Sequence, residues 1–190
     1  YFDAIAEAGL DLIAHVYPAW TRASYSAAVM ADLARHPAVQ AFKVGQRDMN
    51  KYAADIAAVR AADPSKAILT CHDEYLLASM VQAVDGALVG FATFIPNLIA
   101  DLWQAVKDGD LKRAMQIQAV ITPLKDAVYG GGEPTGEAHA RMKAGMFLAV
   151  LLTTAYAPLD LLQGWLATVA RINPVTQVVD VPGSLVVHPS

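Results

Sequence analysis

Val39-Gln40-Ala41-Phe42-Lys43-Val44-Gly45 is the stretch on which the fold turns. Its apolar run reads as a buried strand closed by a glycine, with a lysine near its end. An ammonium taken out of water must find a partner or give up its proton. A lysine kept neutral by burial is a nucleophile for carbonyl groups, which is the chemistry of Schiff-base enzymes. The plainer reading is a strand-end lysine whose ammonium snorkels to water. The company Lys43 keeps decides between them.

Working outward, strand-like and helix-like segments alternate. Residues 10–17 read as a strand stopped by Pro18, and 24–35 as a helix with a serine able to cap it. After the Lys43 strand, 49–62 reads as a helix ended by Asp63-Pro64, 66–71 as a third strand and 74–83 as a short helix. Residues 86–92 read as a fourth strand, with Pro96 near the start of the next helix. Near-continuous apolar strands separated by helices predict a parallel sheet covered on both faces. From about residue 110 strands stop: 110–128, 135–155 and 161–171 read as helices. The tail 173–190, with Pro174, Pro182 and Pro189, has extended or loop character. The chain opens on Tyr1 rather than methionine, and residues 1–9 look like the tail of a helix ending at a glycine C-cap, so an upstream portion is expected.

Composition narrows the classes. At 190 residues, 55% hydrophobic and 17% charged, the chain can bury a sizeable core. Net charge is -4 and the 14 Lys and Arg are scattered, so neither nucleic acid nor an anionic membrane surface is expected as a partner. The single cysteine, Cys71, excludes a disulfide framework and fits a reducing compartment, hence a cytoplasmic location. The apolar run 146–156 is too short to span a bilayer and contains two threonines. No basic segment followed by an apolar one opens the chain, so secretion has no support.

The strand ends carry the polar chemistry: His15-Val16-Tyr17-Pro18, Lys43-Val44-Gly45, Cys71-His72-Asp73-Glu74 and Gly90-Phe91-Ala92-Thr93. In parallel α/β barrels the active site lies at the C-terminal ends of the strands. A period of two puts His15 and Tyr17 on one face of their strand, and Val39, Ala41 and Lys43 on one face of theirs. An amine beside an imidazole and a phenol is a nucleophile with acid/base partners.

On these residues the chain resembles the second half of the dihydrodipicolinate synthase/N-acetylneuraminate lyase family, pyruvate-type class I aldolases and dehydratases on a (β/α)8 barrel. In that family a strand ending in Tyr-Asn-x-Pro precedes the strand ending in the Schiff-base lysine. Here His15-Val16-Tyr17-Pro18 occupies the motif, and Lys43 follows 28 residues after His15 (43 − 15). The family's Gly-Asp-Asp falls on Cys71-His72-Asp73, and Gly86-Ala87-Leu88-Val89-Gly90 resembles its keto-acid-lining Gly-x-x-Ser/Gly segment. Gly109-Asp110-Leu111 and Arg141-Met142-Lys143-Ala144 resemble parts of its C-terminal helical domain. The resemblance covers roughly residues 1–157 and implies strands five to eight of the barrel over 1–108, a helical domain over 109–172 and a tail over 173–190.

The departures are informative. The family's catalytic tyrosine falls on His15, with Tyr17 two residues on; the carboxylate-gripping arginine of the synthase branch falls on Trp20, with Arg22 nearby. This argues against dihydrodipicolinate synthesis itself and for a bulkier or less charged second substrate. The family's paired Thr/Ser site for the keto-acid carboxylate belongs to an upstream half that this sequence does not contain.

The resemblance implies a Schiff-base lyase, aldolase or dehydratase, for pyruvate or a 2-keto-3-deoxy sugar acid. Lys43 would form the imine, His15 or Tyr17 would carry the proton, and Cys71, Leu88, Gly90 and Trp20 would line the substrate site. No cofactor and no metal are expected, and the protein should be a dimer or tetramer. The rival is a non-catalytic or truncated homologue serving as a binding or oligomeric scaffold. His15, His72, Asp73 and Glu74 lack a fixed metal-ligand spacing, and Cys71 reads as packing rather than as a nucleophile. Trp103 and Trp165 read as core or subunit contacts, Gly130-Gly131-Gly132 as an interhelix hinge, and His36, His139 and His188 as surface or loop residues.

Overall fold

The computed structural model describes residues 1–130, 136–151 and 168. The chain divides into two compact units, Tyr1–Gly90 with Ile99–Thr122, and Phe91–Leu98 with Pro123–Ser190.

The first unit is built on a four-stranded parallel sheet in sequence order: β1 (Leu12–Val16), β2 (Val39–Val44), β3 (Ala67–Thr70) and β4 (Gly86–Ala87). Three of the four strands fall inside the apolar runs and are trimmed at their ends. The fourth is cut to two residues. Leu88 N donates to Thr70 O at 3.0 Å as the last rung, and Gly90–Thr93 then turns into a 3-10 helix where a strand over 86–92 was expected.

Helices alternate with these strands. Following α1 (Phe2–Ala6), Gly9 at φ +70 closes the turn in the left-handed region that favours glycine. Pro18 does stop β1, but it also opens a one-turn helix, α2 (Pro18–Thr21), because its fixed φ suits a first helical position. α3 (Ala27–Arg35) starts three residues later than the pattern suggested, since Ser26, not Ser24, is the cap: its Oγ accepts from Val29 N at 3.3 Å. α4 (Met49–Ala62) has the expected bounds, with Asp48 capping it through Asn50 N at 2.9 Å and Lys51 N at 3.2 Å. The segment expected as one short helix splits into a 3-10 turn (Asp73–Tyr75) and α5 (Leu76–Met80). α6 (Pro96–Lys107) begins at the proline, and α7 (Leu111–Tyr129) follows.

Register fixes what each sheet face carries. Ala14, Phe42 and Ile68 form one rung, and Val16, Val44 and Thr70 another on the same face; all are buried. α4 and α5 meet this face. Ser79 of α5 bonds the Thr70 hydroxyl at 2.6 Å, and the Tyr52 hydroxyl of α4 faces both, its phenol pushed up to about 12 by burial. Phe42 is fully enclosed, as are Met30, Tyr52 and Val59 from the helices. Each such side chain contributes roughly 1.5–3 kcal/mol by leaving water. Asp55, fully buried in α4, is held by Lys51 Nζ at 2.7 Å.

The opposite face differs from the expectation of helices on both sides. It carries His15, Lys43 and Leu69 in one rung, with Ile13 of β1 55% exposed. An apolar run marks both faces of a strand as apolar without saying what covers each, so this half of the pattern does not specify a helix layer. Consequently Lys43 itself is half-buried rather than enclosed.

In the second unit, the Phe91 ring stacks on Tyr129 (5.7 Å, 12°) and meets Phe94 edge-on at 5.1 Å. α8 (Gly136–Leu151) buries Ala138 and Met142, and its Arg141 donates to Val128 O at 2.9 Å. Gly130, at φ +59, ends α7. The segment 161–171 apart from residue 168, with Trp165, His188 and the tail 173–190, lies outside the described residues, as does the rest of the Gly130-Gly131-Gly132 segment. Among the described residues no helix is long and apolar enough to cross a membrane.

Candidate active site

Because all four strands run parallel, their C-terminal ends share one edge of the sheet. His15 of β1 and Lys43 of β2 are direct register partners there, and Lys43 pairs Leu69 of β3. Two residues on, the same face carries Tyr17, Gly45 and Cys71. Gly45 N donates to Val16 O at 2.6 Å, extending the β1–β2 ladder one residue past β2.

Gly45 has a steric task. A Cβ built on it would lie 2.8 Å from Tyr17 Cδ2, 3.1 Å from Val16 O and 3.2 Å from Cys71 Sγ. The missing side chain therefore leaves room for the phenol from one side and the thiol from the other. Cys71 Sγ reaches across to His15 Nε2 at 3.3 Å, a contact that passes over β2. Tyr17 stacks on His15 with ring centroids 5.3 Å apart and planes at 18°.

Charge at this edge is arranged around Lys43. Burial, the Lys43 ammonium and His72 together hold His15 below its ordinary value, which favours a neutral imidazole at neutral pH. Burial pushes the Cys71 thiol up, against the pull of Lys43, which acts on the sulfur as a charge and a hydrogen-bond donor. The sulfur is accordingly a protonated thiol near neutrality, able to donate one hydrogen and accept another.

His72 is the residue that sequence reasoning undervalued. It is 3% exposed, donates from Nε2 to Gly45 O at 2.7 Å, and packs edge-on against Tyr17 (5.3 Å) and Tyr75 (5.8 Å). Its Nδ1 lies 3.7 Å from Glu74 Oε2, an ion-pair distance too long for a hydrogen bond; Glu74 Oε1 accepts from Arg47 Nη2 at 3.0 Å. Burial pushes the Glu74 carboxyl up, but the nearby His72 ring, a backbone hydrogen bond and the Arg47 charge hold it below the usual carboxylate range. Its position right after the Cys71 strand end was the available signal; its anchoring of the Gly45 carbonyl was not readable from sequence.

The other expected lining residues are less engaged. Leu88 is 47% exposed beside the last rung, and Gly90 opens the 3-10 turn. Trp20 is 70% exposed on α2. Arg22 ends α2 in the left-handed region at φ 55. Among the described residues no three His, Cys, Asp or Glu converge as metal ligands. A cleft of about 540 Å³ between Met80, Asp85, Trp103 and Lys107 lies by the N-terminal end of β4, away from this chemistry.

Comparison with known proteins agrees with the architecture. The model of the dihydrodipicolinate synthetase family matches residues 1–158. A 4-hydroxy-tetrahydrodipicolinate synthase of Acidiphilium cryptum is 32% identical over 146 residues, covering 76% of this chain and 49% of that protein. One of Gluconobacter oxydans is 31% identical over 153 residues, 80% of this chain and 50% of that one. The chain thus spans about half the length of the curated relatives it matches. Among solved structures, a prophage protein of the dihydrodipicolinic acid synthase family from E. coli K12, in complex with pyruvate, superposes with a TM-score of 0.68 at 22% identity, covering 78% of this chain and 49% of that one. N-acetylneuraminate lyase from Fusobacterium nucleatum gives 0.65 at 21%, covering 90% and 56%. At these identities the likeness establishes the fold.

Proposed function

We propose, from the premise that this chain belongs to the dihydrodipicolinate synthetase family, that it carries the Schiff-base centre of a lyase acting on a 2-oxo acid, with Lys43 as the amine. The observation that supports it is the pairing of His15 with Lys43 across β1 and β2, with Tyr17 stacked on the imidazole. Once it has given up its proton, the Lys43 amine adds to the ketone of pyruvate or a 2-keto-3-deoxy sugar acid, water leaves, and the protonated imine becomes an electron sink. Carbon–carbon cleavage or formation, or loss of water, then runs through the enamine. His15, whose depressed basicity keeps it neutral, or Tyr17 moves the proton.

In this reading the four βα units are strands five to eight of a (β/α)8 barrel within residues 1–108, and their open face is the barrel interior. The helices Leu111–Tyr129 and Gly136–Leu151 belong to the family's C-terminal helical domain in this reading. Cys71, Leu88, Gly90 and Trp20 shape the substrate site. Trp20, where the synthase branch has an arginine, favours a second substrate other than that of dihydrodipicolinate synthesis. The protein works in the cytoplasm as a dimer or tetramer, without a cofactor.

Borohydride reduction of the full-length protein with pyruvate, read by intact mass and peptide map, tests the centre. The adduct is expected on Lys43 and absent from Lys43→Ala with the fold kept. A second reading, a non-catalytic scaffold, is favoured by His15 standing at the family's tyrosine position. Failure of every 2-oxo acid tried to trap on Lys43 selects that reading.

A further inference from the structure

We infer that the Cys71 thiol is a catalytic group that passes the Lys43 proton to His15; this rests on the reading of Lys43 as the imine-forming amine. The geometry points there because Cys71 and His15 belong to strands on either side of β2, yet Sγ and Nε2 meet at 3.3 Å. The contact can only pass over β2, and it does so where Gly45 has no side chain: a Cβ there would lie 3.2 Å from the sulfur. Lys43 is the side chain just below that gap on the same face, opposite His15 in register. The thiol therefore lies between the imidazole it touches and the Lys43 charge that acts on it.

The transfer balances without any co-reactant. As a Lys43 N–H bond breaks, the sulfur accepts that proton and releases its own to His15 Nε2, whose lone pair is available when the imidazole proton sits on Nδ1. One N–H and one S–H bond break, and one S–H and one N–H bond form. The thiol is unchanged, the positive charge has moved to His15, and Lys43 is left as a neutral amine. His15 then returns the proton to the hydroxyl leaving as water from the carbinolamine. The charged and titratable groups facing the pair are Lys43 and His72 at His15, Lys43, Asp73 and Glu74 at Cys71, and Tyr17 stacked on the imidazole. A cysteine that merely fills space needs none of this.

Two arms separate the inference from the reading beneath it. In the first, Cys71 alkylation by iodoacetamide is followed against pH by peptide mapping, in the parent, Lys43→Met and His15→Phe. Loss of the Lys43 charge is expected to move the thiol titration to higher pH, because that charge lowers it. A superimposable profile in Lys43→Met overturns the coupling and the inference. In the second, pyruvate trapping by borohydride is timed from pH 5 to 9 in the parent, Cys71→Ala and Cys71→Ser. Cys71→Ala should slow trapping roughly a hundredfold, the low end for a positioned proton-transfer group, and displace its pH profile, with Cys71→Ser intermediate. Parental rate and profile in Cys71→Ala overturn the inference and leave the Schiff-base reading standing. No trapping in the parent itself overturns that reading, and the inference with it. Thermal melts of each variant establish that it is folded, and Cys71→Ser serves should Cys71→Ala fail to fold.

Discussion

Gly45→Ala tests the site at its tightest point. The new methyl would lie 2.8 Å from Tyr17 Cδ2, whereas ordinary contact begins at 3.4 Å, so something must move by 0.6 Å (3.4 − 2.8). Backbone retreat is blocked on one side, because Val16 O, 3.1 Å away, is pinned by Gly45 N at 2.6 Å. Gly45 lies outside the left-handed region, so no backbone strain adds to the collision. The Tyr17 ring must yield, and it is held between His15 and His72 at centroid distances of 5.3 Å each. Overpacking of this kind costs about 1–3 kcal/mol. For a chain of 190 residues that is a fall in Tm of roughly 2–12 °C. Displacing Tyr17 and Cys71 by this fraction of an ångström should also slow pyruvate trapping roughly tenfold, since misplacement by about 1 Å costs up to a hundredfold. Gly9→Ala is the control: φ is +70 and nothing lies within 4 Å, so it should lose about 1–2 kcal/mol to backbone strain alone and trap normally. A Gly45→Ala protein that melts within about 1 °C of the parent and traps at the parental rate would refute the packing argument.

Other perturbations read other parts of the molecule. Lys51→Met strands the fully buried Asp55 carboxylate and should cost roughly 3–5 kcal/mol by urea denaturation, with much of the loss recovered in Lys51→Met/Asp55→Asn. His72→Phe keeps a ring against Tyr17 but leaves the buried Gly45 carbonyl without its donor; about 1–3 kcal/mol should be lost, seen as a lower denaturation midpoint. His15 takes its proton less readily folded than unfolded, so the unfolded chain binds more protons as pH falls below about 6.5, and stability declines there. In His15→Phe the melting temperature should vary less across that window. Glu74 has the opposite charge and the same sign of dependence: its depressed carboxyl contributes stability above the unfolded value, near 4.5, that is lost as pH falls through the folded one. Glu74→Gln should flatten that acid limb of the melting curve.

How much of this was legible in the sequence depended on whether the cause was local. α4 could be read to its ends because Asp63-Pro64 stops it nearby. Strand period placed His15 with Tyr17 and Lys43 with Ala41, each on one face of its own strand, while the register that sets His15 opposite Lys43 is a property of the sheet that no single strand's pattern carries. The fourth strand failed because Phe91 sits in an apolar run yet belongs to an aromatic cluster with Tyr129, distant in sequence, and a run of that kind suits a strand or a buried turn equally. Cys71 read as packing because its partner, His15, is 56 residues away, and Gly45 read as a simple strand stop although its task is to leave space. His72 was weighed only as a metal ligand and a motif position, because its main partner is a backbone carbonyl, which carries no residue-type signal.

The sheet's order, each strand beside its successor, bears on how the chain acquires its shape. The loops that bring partners together span 28 residues (43 − 15), then 26 (69 − 43), then 17 (86 − 69). Closing the longest instead of the shortest costs only about 0.4 kcal/mol more in chain entropy. Among the described strands no pairing waits for a distant segment, so during synthesis these four can pair rung by rung as each βα unit emerges from the ribosome. The site matures in the same order. His15 meets Lys43 when β2 docks, and the sulfur closes over them only once β3 arrives. The two-residue β4 adds the fewest register pairs of the described strands.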